Sequence, residues 1–240
     1  MKLRILFAAI LLLPLTVLHA GPAEDAIGVA AVNCLKTLDN TPLNKIEYVV
    51  SEEWNGATYM FRKTHPDAKQ VRVMLLMIDG IPSSEKGMRQ FGEQRNIYES
   101  DAPDKRHPID PTNRWINTAR LEDLVLPGTL QFDRRDESQL FYTFKGKVTI
   151  EGKTVDVDGD LVYNEKMKCV AMIEVATHDE FKLGFKTRIN SLSWQMSFTR
   201  DDKLNLVLPT SVCWSVTGKK GFSTDYSDNY SAKMNNFNPL

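Results

Sequence analysis

The chain has 240 residues, a formal net charge of −1, 25% charged residues and 42% hydrophobic ones. This composition excludes an acidic, hydrophobe-poor disordered chain and lacks the basic surplus that marks a binder of nucleic acid or anionic lipid surfaces. A folded domain is implied, of a size that a single core can serve when the fold is rich in β-structure.

Residues 1–20 read as a cleavable export signal. Lys2 and Arg4 form a positive start, Ile5 to Leu18 is uncharged and apolar, and Leu18-His19-Ala20 places a small residue at a cut site after Ala20. A membrane span is the competing reading. A bilayer needs about 20 apolar residues, and Pro14 interrupts this shorter run. Cleavage would remove two basic residues and no acidic one, taking the net charge from −1 to −3. The expected product is a periplasmic protein with no transmembrane segment in its mature part, residues 21–240, folded as one β-rich domain.

After the signal, Pro22 to Leu38 carries helix signals: Pro first, acids in the first turn and Lys36 near the end. Ala26, Ala30, Cys34 and Leu35 would form its apolar stripe. The period then changes. Lys45–Trp54, Thr58–Thr64 and Gln70–Ile78 read as strands, broken at Asn55-Gly56, at His65-Pro66-Asp67 and at Asp79-Gly80. Met74 to Ile78 is apolar on both faces, which predicts a strand covered on both sides. A second helix is expected from Ser83 to about Arg95, with Met88 and Phe91 as its sparse apolar positions, followed by a polar, Pro-containing loop over 96–113. A short helix is expected over Trp115–Leu124.

From there the chain reads almost entirely as strand: Thr129–Arg134, Gln139–Ile150, Thr154–Tyr163, Lys168–Thr177, Lys186–Arg200, Lys203–Val216 and Phe222–Lys233. Val155, Val157, Leu161 and Tyr163 alternate with Asp156, Asp158 and Asp160, the pattern of a half-buried strand with one wet face. The expected fold is α+β and mainly antiparallel β: a curved sheet or half-barrel with an N-terminal helix and the helix-and-loop insertion as a lid.

No catalytic motif emerges. G-x-S-x-G, H-E-x-x-H, C-x-x-C, the P-loop and G-x-G-x-x-G are all missing from the sequence. After the signal, His65, His107 and His178 are the only histidines, and they define no triad, so no catalytic residue, metal ligand or cofactor is assigned. Asp156-Val157-Asp158-Gly159-Asp160 departs from a calcium loop in its glycine position and its context and is read as a solvated sheet face. Arg134-Arg135-Asp136-Glu137 reads as a charged hairpin tip. Three cysteines remain. Cys169 and Cys213, both in strand-like segments, are the favoured disulfide, the alternative being three buried thiols.

The order of signal, helix, few strands, insertion and long meander resembles the LolA/LolB-like periplasmic lipoprotein-carrier fold. Met77-Ile78-Asp79-Gly80-Ile81-Pro82-Ser83 is similar to a "vDGxPP(S/T)" segment of uncharacterised exported proteobacterial proteins, in which a Leu-Pro step like Leu208-Pro209 recurs. The resemblance implies a non-enzymatic binding protein that holds a lipid or a lipoprotein acyl chain in an apolar concavity. The alternatives are an extracytoplasmic hydrolase with a dispersed site, or a partner of another envelope protein.

Overall fold

A computed structural model describes residues 21–39, 46–54, 56–67, 70–84, 86, 121–150, 153–177, 179–183, 186–221 and 224–240. The expected export signal, nearly all of the expected second helix, the expected loop over 96–113, residues 115–120 of the expected short helix, His107 and His178 lie outside the described residues.

One helix, α1 (Pro22–Asp39), packs on an antiparallel sheet of twelve strands. In chain order these are β1 (Ile46–Trp54), β2 (Ala57–Asp67), β3 (Gln70–Ile78), β4 (Ile81–Pro82), β5 (Gln131–Asp136), β6 (Gln139–Ile150), β7 (Lys153–Asn164), β8 (Cys169–Ala176), β9 (Phe181–Leu183), β10 (Thr187–Asp201), β11 (Leu206–Lys220) and β12 (Thr224–Pro239). The spatial order is β4-β3-β2-β1-β12-β11-β10-β8-β7-β6-β5, with β9 added beside β10. The sheet is open, because its two ends do not pair. A sheet this wide must curl to bury a face, and register shifts such as those at Val162/Tyr163 and Ser197/Phe198 sharpen the twist locally. The curved, mainly antiparallel sheet expected from the sequence is therefore the observed architecture.

Turn chemistry sets the hairpins. Trp54 pairs with Ala57 across Asn55-Gly56, and Ile78 with Ile81 across Asp79-Gly80. Asp79 and Gly80 both have positive φ (50° and 76°), the backbone of a type I′ turn. That turn is tied to β2 by Asp79 N–H donating to Thr58 O and by Thr58 N–H donating to Asp79 Oδ1, both at 2.8 Å. At the predicted charged tip, Asp136 pairs with Gln139 around Glu137-Ser138.

Two of the strand prolines, Pro66 and Pro209, lie before the end of their strands and occupy tolerated places. Pro66 was expected to end its strand, yet β2 continues to Asp67. Pro66 lies beyond the last residue paired with β1 and within a register shift against β3, so it breaks no ladder bond. Pro209 pairs with Phe198 of β10, while the β11 pairing to β12 begins only at Ser211.

One sheet face carries the core. On β7 the buried positions Val155, Val157, Gly159, Leu161 and Tyr163 alternate with the outward Asp156, Asp158 and Asp160, as the sequence pattern predicts. Gly159 is needed there: the Phe144 ring lies where its Cβ would be, 2.1 Å from that position. On the outer face Asp158 and Asp156 meet Lys145 and Lys147 of β6, and Ser191 and Thr217 share a hydrogen bond of 2.6 Å. Trp194, Trp214 and Tyr230 sit level on β10, β11 and β12, and the rings of Trp214 and Tyr230 stack at 5.6 Å. All three are buried, so tryptophan bulk here fills the core rather than lining a void.

Two sequence expectations need correction. The buried stripe of α1 is Gly28, Ala31, Cys34, Leu35 and Leu38, whereas Ala26 and Ala30 are exposed. The stripe follows i, i+3, i+4 spacing up to Leu38, and it turns a different side of the helix to the sheet than Ala26 and Ala30 would. On β3 only one face is covered: Leu75 is buried, but Met74 is 57% exposed on the other side.

Candidate functional site

The candidate site is a cavity of about 600 Å³ between α1 and the β5–β6 end of the sheet, a volume within the range of small-ligand sites. The helix side contributes Asp25, Gly28, Val29, Val32 and Asn33, and the floor is Tyr142 of β6. The opposite wall is the segment from Glu122 to Phe132, including Val125, Leu126, Pro127 and Leu130.

That wall is built by local rules. Leu121–Leu124 forms a single 3₁₀ turn. Val125 then bridges Gly146, and Leu126 N–H donates to Lys145 O at 2.9 Å. The chain reverses at Leu126-Pro127-Gly128-Thr129, where Thr129 N–H donates to Leu126 O and Gly128 has φ of 77°. Proline at the second position and a left-handed glycine at the third are the requirements of a type II turn. Thr129 Oγ1 locks it by donating within reach of Leu126 O (2.7 Å) and Lys145 O (2.9 Å).

The helix side is positioned by small residues and one covalent bond. Glycine in mid-helix costs about 1 kcal/mol relative to alanine. Gly28 nevertheless suits its place, since a Cβ there would lie 3.2 Å from Leu130 Cδ2 and 3.3 Å from Tyr142 Cε1. Close approach of helix and floor is thus set by this residue. Tyr142 fixes the first turn of α1 by donating its hydroxyl to Glu24 O at 2.9 Å, and its ring meets Phe132 edge-on at 5.8 Å.

Farther along α1, Cys34 is disulfide-bonded to Cys169 at the start of β8, with Cα atoms 5.5 Å apart. This corrects the expected Cys169–Cys213 pair. Cys213 of β11 is level with Gln195 of β10 and through it with Glu174 of β8, five residues along from Cys169. With a strand between them the two lie at least about 9 Å apart, beyond the roughly 7 Å reach of a disulfide. Cys213 is a free thiol whose pKa is raised, first by burial and then by Glu174.

Burial, with the Glu24 carboxylate next in weight, pushes the Tyr142 hydroxyl up to about 12. Only the protonated phenol can donate to Glu24 O. A folded pKa above the unfolded value of about 10 stabilises the fold fully below pH 10, and this contribution is lost as pH rises through 12. The tyrosinate absorbance of wild type minus Tyr142→Phe should therefore rise near pH 12. A difference titrating near pH 10 would contradict the burial of Tyr142 beside Glu24. Tyr142→Phe should also cost about 1 kcal/mol in chemical denaturation.

Elsewhere on the core face, Glu52 accepts a hydrogen bond of 3.0 Å from the Tyr230 hydroxyl, and His65 Nε2 lies 3.4 Å from the Tyr48 hydroxyl. Glu52, Lys63 and His65 are buried. Among the described residues, no three His, Cys, Asp or Glu side chains converge on a point that could hold a metal ion. No described helix is long and apolar enough to cross a membrane.

Sequence reading missed the cavity lining. Val29, Leu126 and Phe132 are individually unremarkable. The available signals were an apolar Val29 outside the buried stripe of α1 and the Leu-Pro-Gly turn. No family model matches the chain, and no curated protein or solved structure matches it either.

Proposed function

We propose that the protein is an exported binding protein that holds an apolar ligand, a lipid or the acyl chain of a lipoprotein, in the cavity under α1. The observation that carries this reading is the cavity itself: about 600 Å³ walled by Val29, Val32, Leu126, Leu130 and Phe132, with Val29 left 65% exposed at its open side. Apolar surface held open to water is costly unless something covers it. The reading assigns no catalytic side chain; the protein holds its ligand without transforming it. Two features support a periplasmic setting, the Lys2-to-Ala20 signal pattern and the Cys34–Cys169 bond, which belongs to oxidising compartments. The order of helix and meander that resembles the LolA/LolB-like carriers agrees with it.

Native mass spectrometry of the exported chain is expected to find a co-purifying lipid. After delipidation, an added single-chain amphiphile with an uncharged or cationic head should raise the melting temperature. Val32→Trp, which fills the cavity from α1, should remove both effects while leaving the circular dichroism unchanged. Lipid-free protein whose melting temperature responds to no amphiphile would refute the reading.

A second reading, a partner of another envelope protein, rests on a different feature. Among the described residues the outer edge of β3 is met by the two-residue β4 and by Ser83, which donates to Leu76 O and Leu75 O. Beside it Met74 and Ile81 are 57% and 70% exposed, which suits strand addition by a partner.

A further inference from the structure

We infer that the ligand of the α1 cavity is a single-chain amphiphile with a cationic headgroup, selected by the carboxylates of Asp25 and Asp123. This rests on the binding reading above and adds the chemistry of the headgroup. Both aspartates line the cavity, one from the first turn of α1 and one from the 3₁₀ turn of the opposite wall. Both are exposed, so they stand on the solvent side of a mainly apolar lining. Glu122 is a third carboxylate of the same wall, and among the described residues the lining includes no Lys or Arg.

Beside this rim, Asp25 acts on the Tyr142 hydroxyl of the floor in the direction of negative charge, as Glu24 does more strongly, with Arg135 opposing them. Arg135 is itself paired with Glu165 at 3.4 Å. An alkyl chain can therefore occupy the apolar interior only if its head tolerates a negative mouth. A carboxylate, sulfate or phosphate head would be repelled there, and an ammonium head would be attracted.

The test compares three amphiphiles of equal chain length, each below its micellar concentration, by displacement of the neutral fluorophore N-phenyl-1-naphthylamine from the delipidated full chain. Dodecyltrimethylammonium should bind about tenfold more tightly than dodecyl sulfate at low ionic strength, with dodecyl maltoside between them. The gap should narrow as salt is added. Asp25→Asn with Asp123→Asn should bring the cationic and anionic ligands to within about threefold of each other.

Equal or tighter binding of dodecyl sulfate would overturn the headgroup assignment, and so would a preference that survives the double substitution. In either case the maltoside still binds and the binding reading stands. If neither the fluorophore nor any of the three ligands binds, the binding reading itself fails.

Discussion

Replacing Gly146 by alanine is expected to lower the unfolding free energy by about 2–3 kcal/mol, the scale of overpacking against an unyielding neighbour. In a chain of this size that corresponds to a fall in melting temperature of roughly 4–12 °C. Exchanging a strand glycine for alanine ordinarily favours the fold slightly, because the unfolded chain loses freedom. At Gly146 the added Cβ would sit 2.0 Å from the carbonyl oxygen of Leu124. That atom is backbone and cannot rotate aside. Relief requires the 121–126 segment to lift, which breaks the Val125–Gly146 bridge and the Leu126-to-Lys145 hydrogen bond. The same segment is a wall of the cavity, so ligand affinity should fall together with stability. An unfolding free energy within about 0.5 kcal/mol of wild type would show that Leu124 does not approach β6 as described.

Removal of the disulfide is the second large effect. The Cys34–Cys169 bond closes a loop with a sequence separation of 135 residues. Bridges of this kind contribute about 2–4 kcal/mol, chiefly by restricting the unfolded chain. Cys34→Ser with Cys169→Ser, or reduction of the wild type, should lower stability by that amount. Amide exchange should quicken first in α1, whose attachment to β8 is lost. Cys213→Ser should change neither, since that thiol is unpaired on the outer face of β11. Non-reducing peptide mapping that joins Cys169 to Cys213 would contradict the fold at this point.

How far the sequence reveals this molecule depends on the range of the force involved. Alternation between Val155 and Tyr163 is a local consequence of burying one face of a pleated strand, and it predicts β7 nearly residue for residue. Asn55-Gly56 and Asp79-Gly80 are equally local, because positive φ is demanded within the turn itself. Pro66 and Pro209 mislead only in part. Whether a proline ends a strand depends on whether its missing N–H faces a neighbour, and the neighbours are tertiary. Cys34 was passed over for the same reason: it belongs to a helix, and only the packing of α1 across β8 brings it to Cys169.

The cavity is still less legible. Its residues are split between the helix and a loop about a hundred positions away, and each is ordinary for its own segment. Gly28 and Gly146 are the local traces of it. Both are glycines placed where elsewhere they would weaken a helix or a strand, and both mark a close approach of distant chain.

The place of β12 has a consequence for assembly. It lies between β1 and β11, pairing with Ile46–Trp54 on one side and with Ser211–Lys220 on the other. Until residues 224–239 arrive, β1–β4 and β5–β11 are two separate ribbons, each with a bare inner border. β12 is thus the keystone of the arch. The two ribbons can form early from neighbouring hairpins, but the joining of β1 to β12 must await a contact between segments far apart in the chain. Such long-range closure is the slow step in folds of this topology, and the unjoined borders are the places where two chains would most readily clasp each other by mistake.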